Sequence, residues 1–336
     1  MPQRRRALLI LLLLGLAALA SVLVSLAVGS LPLGLGEVLR ALTGDESGNG
    51  LAGEVVRTLR LPRALAGLAC GGLLALAGAL MQVLLRNPLA DPYVLGISGG
   101  ASVGALATML FGLPLVMLHA GAFSGALAAM LLVFGLAHGD GSWTQTRLLL
   151  TGVIVAAGCG ALVALLLSIA PEQQLRGMLF WMMGDLSQAE TPWAALALLA
   201  LALLGLMPFA RDLGLLARGE VSAQALGVPV ARLRLLIYLL ASLLTATAVT
   251  TAGSIGFIGL IVPHLVRLGM RATAGNDQRL LLPASALAGG ALLVAADTLA
   301  RTVLAPQQLP VGVLTALLGV PVFLYLLTHQ PRERRA

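Results

Sequence analysis

Two groups of side chains have types and spacing that could do specific work: three arginines at steps of three, Arg57, Arg60 and Arg63, and the turn Asn87-Pro88-Leu89-Ala90-Asp91-Pro92. Three cations so close together, near one face of a helix if that helix begins early, suit recognition of an acidic partner rather than bond-making chemistry. A solvated helix cap would explain a single such arginine equally well. Pro88 and Pro92 lack N–H groups and disfavour helix at Asn87 and Asp91, so the chain must turn there. A turn of this kind is a hinge or gate where it lines a water-filled path at membrane depth, and an ordinary connection where it does not. The residues alone leave both readings open. Farther along, Asp297 and Arg301 are spaced i, i+4 with the acid first, which suits a local ion pair and does not exclude docking.

Catalytic and metal-binding sets are not visible. The histidines at 119, 138, 264 and 329 lack ligand spacing, so no metal site is expected. Cys70 and Cys159 both fall in apolar helical runs and read as small buried hydrophobes rather than as a disulfide or metal ligands. All 21 basic residues are arginine. The absence of lysine removes a P-loop, whose phosphate-binding step uses the lysine of G-x-x-x-x-G-K-[ST]. Ile97-Ser98-Gly99-Gly100 superficially resembles an ATPase signature, but Gly96, Gly100 and Gly104 place it on a packing stripe. The chain is therefore expected to be no enzyme and to hold no cofactor.

The elements that must position these residues follow from composition. A chain of 336 residues that is 59% hydrophobic and 10% charged cannot hide its apolar surface in a soluble core, and lipid must solvate it. A span needs about 20 apolar residues. Runs of that kind lie at 7–28, 64–85, 93–112, 114–137, 147–170, 193–210, 233–252, 254–270, 280–300 and 311–328, which predicts an all-α polytopic protein of about ten transmembrane helices in one domain over 1–336. The run at 254–270 is the least secure, because Pro263, His264 and Arg267 interrupt it. The first run follows Arg4, Arg5 and Arg6 but is too long for a cleaved secretory signal, whose apolar region is about 7–15 residues. It is expected to remain as the first span. With the amino terminus inside, six arginines (Arg40, Arg57, Arg60, Arg63, Arg176 and Arg301) fall outside and the other fifteen inside. This bias supports cytoplasmic termini and accounts for the net charge of +7 without a nucleic-acid partner.

Small residues recur at steps of four in Gly67, Gly71, Ala75 and Ala79, in Gly96, Gly100 and Gly104, and in Gly152, Ala156, Gly160 and Ala164. Each series makes a stripe where helix backbones can approach closely, which holds a bundle together once lipid has removed the hydrophobic drive. Two non-membrane segments are sizeable. Residues 29–57, with GDESGNG, read as a flexible outer loop. Residues 211–234 read as two short amphipathic helices around Gly219, ended by Gly227 and Pro229. They could receive a soluble partner, or could rest on headgroups as an interfacial loop. Residues 253–267, GSIGFIGLIVPHLVR, form an interrupted helix of the type that often borders a substrate route.

Taken together, the words RLPR at 60–63, GALMQ at 78–82, RNPLADP at 86–92, LGISGGA at 95–101, GSIGFIGLIVPHLVR at 253–267 and LPVGVLTALLGVPVFLYLL at 309–327 resemble the permease subunits of FecCD-type ABC importers. That family takes up iron-siderophore complexes, haem and vitamin B12. The resemblance covers nearly the whole chain. It implies ten spans per subunit, a homodimer around a central path in the bacterial inner membrane, two cytoplasmic ATPase subunits that bind ATP and Mg, and a periplasmic binding protein. It further implies that Arg60, Arg63 and Arg301 dock acidic groups of the binding protein. The inner gate would comprise Asn87 and Leu89 with Thr144, Gln145 and Thr146, where Gln145 departs from the small hydroxyl residues common at its position. The coupling helices would correspond to 213–217 and 220–226, with Leu213, Leu215, Leu216, Glu220, Ala225 and Leu226 meeting the ATPase. The segment LRGMLFWMMGDL at 175–186 looks closer to the corrinoid branch, which leans the substrate toward cobalamin, although Met178, Trp181, Met182 and Met183 also suit an interfacial belt.

Two other classes fit less well. An ion-coupled secondary transporter with broken helices would want ionisable groups at mid-membrane, whereas Asp91, Asp297 and Glu220 lie near helix ends or in loops. An intramembrane enzyme would need a constellation at depth, and the sequence offers His264 no visible partner.

Overall fold

The computed structural model describes residues 2–29, 33–43, 50–137, 144–187, 189, 191–270 and 277–328. His138, His329, most of the GDESGNG loop, Arg271, Arg332, Arg334 and Arg335 lie outside the described residues. All regular structure among the described residues is helical. Seven helices are long and apolar enough to cross a membrane, and three shorter apolar helices accompany them.

The chain opens with α1 (Pro2–Ala27) and the short α2 (Leu35–Thr43). The next helix, α3 (Leu51–Glu54), passes through a π-helical turn at Val55–Arg60 into α4 (Leu61–Leu84). There follow α5 (Ile97–Leu110), α6 (Leu115–Ala137), α7 (Gln145–Ile169), α8 (Glu172–Met182) and α9 (Trp193–Leu206). A 3₁₀ turn at Met207–Phe209, around Pro208, carries α9 into α10 (Ala210–Arg218). The chain then runs through α11 (Glu220–Ala225), α12 (Val230–Ala252), α13 (Ile258–Gly269), α14 (Gln278–Thr302) and α15 (Val311–Thr328).

Burial sorts these helices by position. In the most apolar window of α1, 11% of residues are buried, and its leucines 8, 9, 12, 13, 16 and 19 face outward. The corresponding share in the helix containing α4 is 89%. Helix α4 is thus the central rod, packed against α12, α13, α14 and α9. Glycines let it serve so many neighbours. A Cβ at Gly71 would lie 2.2 Å from the carbonyl oxygen of Gly289 in α14, and one at Gly78 would lie 1.8 Å from that of Gly259 in α13. The stripe on α5 works in the same way, since Gly100 and Gly104 face the backbone of Gly125 and Gly121 in α6. The α7 stripe divides: Gly152 packs on the carbonyl of Val94, whereas Gly160 has open space beside it.

Two of the expected spans are shorter than their apolar runs, and the reason is the same in both. Residues 85–96 and 253–257 are not continuous helix, so α5 and α13 start late. In the second segment the break differs from the expectation that Pro263 interrupts the helix. Helix α13 continues through Pro263, and the irregular backbone precedes it, with Gly253 and Phe257 at φ of +68° and +70°. Proline there withholds the donor that would pair with the Gly259 carbonyl. That carbonyl is the one set against Gly78. The two irregular segments meet. Ile255 N donates to the Tyr93 hydroxyl at 3.1 Å, that hydroxyl donates to Ile255 O at 3.0 Å, and the Ser98 and Ser254 hydroxyls lie 2.7 Å apart.

Candidate functional site: the two ends of α4

The three arginines at the start of α4 do not share a face. The i→i+5 winding of the π turn rotates steps of three away from one another, and each arginine reaches a different element. The Arg57 Nε donates to the Ala41 carbonyl in α2. Arg60, buried, donates from Nη1 to the carbonyls of Leu26 at 2.7 Å and Ala27 at 3.2 Å, satisfying the C-terminal end of α1 where carbonyls lack helical partners. Arg63 clasps Asp297 through Nη2 at 2.8 Å and Nε at 3.0 Å, and donates from Nη1 to Gln308 Oε1 at 2.9 Å.

Asp297 is shared. Arg301 Nε lies 3.3 Å from its Oδ2, and Arg301 Nη2 donates to Ser25 Oγ at 2.9 Å. Asp185 adds a second carboxylate 3.8 Å from Arg63 Nη2. The local Asp297–Arg301 pair expected from i, i+4 spacing is therefore present, inside a larger cluster. The side chains of Asp297, Arg301 and Arg63 are only 3%, 9% and 11% exposed. Of the candidate docking residues, Arg60 is committed to α1, and Arg63 and Arg301 share one acid.

The opposite end of α4 holds the candidate gate. Arg86 closes the helix with φ of +47°, Asn87 Oδ1 accepts from Leu89 N at 2.9 Å, and Asp91 Oδ1 accepts from Tyr93 N at 2.7 Å. These two side chains make the turn that the prolines demand. Asn87 is exposed and Leu89 half-buried. Thr144 caps α7 by accepting from Arg147 N, and both Thr144 and Thr146 are exposed. Gln145 lies between the two gate words. Its Oε1 accepts from Arg86 Nη2 at 2.9 Å and its Nε2 donates to Leu84 O at 2.8 Å. The structure thus joins the gate segments through the very residue that departs from the family pattern. Leu84, Thr144, Gln145, Leu148 and Arg234 line a small cleft at this point.

The two short helices of 211–234 are present as α10 and α11, joined at Gly219 and ended by Gly227 at φ of +81°. Their apolar residues divide in two. Leu213, Leu216 and Ala223 are buried against the bundle. Leu215 is half-buried, and Val221, Ala225 and Leu226 stand exposed, Val221 at 81%. Three exposed apolar residues on so small a helix and its end suit a partner surface. Glu220 turns inward to Arg234, in a paired contact with both oxygens at 2.8 Å. The sequence places Glu220 among the residues expected to meet the ATPase and gives no role to Arg86, which opens the RNPLADP word, or to Arg234 and Asp185. Their placement at the few charged sites of an apolar chain was the available signal.

Among the described residues no group of three or more His, Cys, Asp and Glu could hold a metal. Cys70 and Cys159 are free.

Comparison with known proteins gives a consistent result. The profile of the FecCD transport family matches residues 16–329. The chain is 44% identical over 330 residues to the hemin transport system permease protein HmuU of Yersinia pestis, covering 95% of this chain and 96% of that one. It is 44% identical over 285 residues to the cobalamin import system permease protein BtuC of Halobacterium salinarum, covering 84% and 75%. Among solved structures, an inward-facing metal-chelate type ABC transporter superimposes with a TM-score of 0.81 at 31% identity, covering 96% of this chain and all of that one.

Proposed function

From the premise that the chain belongs to the FecCD transport family, we propose that it moves a metal tetrapyrrole, cobalamin or haem, across the bacterial inner membrane as the permease of a binding-protein-dependent ABC importer. The family match along nearly the entire chain carries the permease role, and the relatives named for hemin and cobalamin transport support the tetrapyrrole. The permease role itself follows from family membership, and ATP hydrolysis belongs to separate subunits.

Seven long and three short apolar helices support ten crossings, with both termini and the Arg86 end of α4 cytoplasmic. A second copy of the chain completes the path. The exposed small residues Ala157, Gly158, Gly160 and Ala161 of α7 suit close approach of another helix, since beyond the local backbone of α7 nothing lies within 4 Å of a Cβ at Gly158 or Gly160. Two ATPase subunits, binding ATP and Mg, seat on Leu215, Val221, Ala225 and Leu226, while Leu213 and Leu216 anchor α10 to the bundle. Their closure drives the switch in access at Asn87, Leu89, Thr144 and Thr146, which requires them to bind the two states differently. At the far end, acidic groups of the binding protein meet the face built on Arg63 and Arg301, and Arg60 holds α1 beside it.

Substrate class is tested by uptake into proteoliposomes holding the complete importer. Labelled cobalamin or haem is expected to accumulate with ATP, and accumulation of a ferric siderophore alone would overturn the tetrapyrrole assignment. Deleting 220–226 is expected to abolish co-purification of the ATPase. A retained complex would refute the seat.

A further inference from the structure

We propose that Glu220, Arg234, Arg86 and Gln145 form a latch that transmits displacement of α11 to the gate, a reading that rests on α11 being the ATPase seat. The four side chains come from four places: the first residue of α11, the first turns of α12, the second residue past α4, and the first residue of α7. They nevertheless form one chain of contacts. Glu220 holds Arg234 with both oxygens at 2.8 Å, and its Oε2 lies 4.0 Å from Arg86 Nη2. The same Arg86 nitrogen donates to Gln145 Oε1 at 2.9 Å, and Gln145 Nε2 continues to the Leu84 carbonyl at 2.8 Å.

The strengths along this chain are uneven. The Glu220–Arg234 contact is the charge-assisted paired kind, the strongest of the hydrogen-bonded pairs. It fixes Glu220 to α12. The link to Arg86 is stretched, and the Arg86 side chain is 37% exposed. Arg86 also holds a left-handed backbone, which non-glycine residues adopt at a cost. Its side chain is thus bound between Glu220 and Gln145. A shift of α11 changes the weakest contact first, and that contact belongs to the residue before Asn87. Gln145 carries the change into α7, beside Thr144 and Thr146. Leu213 and Leu216 hold α10 by apolar burial, which is non-directional; the Glu220 chain supplies a directional route.

The test uses the whole importer, with its ATPases and binding protein, in proteoliposomes, and reads substrate taken up per ATP hydrolysed. Exchanging the charges in Glu220→Arg/Arg234→Glu keeps an ion pair between α11 and α12 but sets like charge against Arg86. Uptake per ATP is expected to fall about tenfold, the scale of an ordinary coupling between sites, with the ATPase still co-purifying. Adding Arg86→Glu should recover at least half of the loss. Gln145→Ala, which cuts the gate side without touching charge, should produce a similar fall. An uptake-to-ATP ratio within twofold of the native importer in both the exchanged variant and Gln145→Ala would overturn the latch. So would loss of the ATPase from Gln145→Ala, which would make the residue one of assembly. Failure of the ATPase seat itself shows separately, as a complex that survives deletion of 220–226.

Discussion

The two ends of α4 carry the same chemistry in different surroundings. At one end, Arg63, Asp297, Arg301 and Asp185 make a cluster whose central acid is 3% exposed and touched by two guanidinium groups. At the other, Arg86, Glu220, Arg234 and Gln145 make a chain of contacts in which Arg234 is 12%, Glu220 26% and Arg86 37% exposed, with one link stretched to 4.0 Å. Burial raises both the strength of a pair and the penalty for separating it. The central pairs of the first cluster are therefore the more costly to separate, and the Arg86 link of the second, long and partly exposed, the least.

The largest effect is expected where that contrast is sharpest. Asp297→Asn leaves two buried guanidinium groups facing each other, and breaking a buried pair in this way costs about 3–5 kcal/mol. Thermal unfolding of the purified variant in detergent should show the loss; a native transition temperature would abolish the distinction between the ends. Next comes Arg60→Met, which strips the carbonyls of Leu26 and Ala27 of a charged donor. A loss of about 1.5–3 kcal/mol is expected, visible as early exposure of α1 to protease. Charge reversal at Arg60 would therefore report on the α1 contact before it reported on docking.

Gly78→Ala probes the rod between the ends. Its Cβ would collide with the Gly259 backbone, so α13 must shift, at about 1–3 kcal/mol. Chemical denaturation of the purified protein should detect this, and full stability would show that α4 is not gripped there. The smallest effect on stability is expected at the latch. Glu220→Gln removes one charge from a part-buried pair, the acid 26% and Arg234 12% exposed, and should cost about 1 kcal/mol, less than Asp297→Asn. A loss as large as that of Asp297→Asn would make the two ends equivalent.

Much of this architecture is legible in the chain. The apolar runs locate every long helix, because a hydrophobic stretch of sufficient length has few alternatives in lipid. Pro88 and Pro92 announce the turn at 86–92, and Gly219, Gly227 and Pro229 bound α10 and α11. The second break precedes α13 and does not fall at Pro263. A proline early in a helix leaves one carbonyl unpaired, and here that carbonyl packs against Gly78 on a helix 181 positions away. The one face expected for Arg57, Arg60 and Arg63 was lost to the π turn, which no residue type in VVRTLR signals.

Residue types and their order along the chain determined that this protein lies in a membrane as a helical bundle, where it must bend, and, through its family words, that it is an importer's permease. The fold alone decided what the charged residues do. Arg63 and Asp297 are 234 positions apart, and Arg86 and Gln145 are 59 apart. Helix formation and lipid solvation depend on neighbours along the chain. Ion pairing depends on distance in space and on exclusion of water, and both are set by which helices pack together.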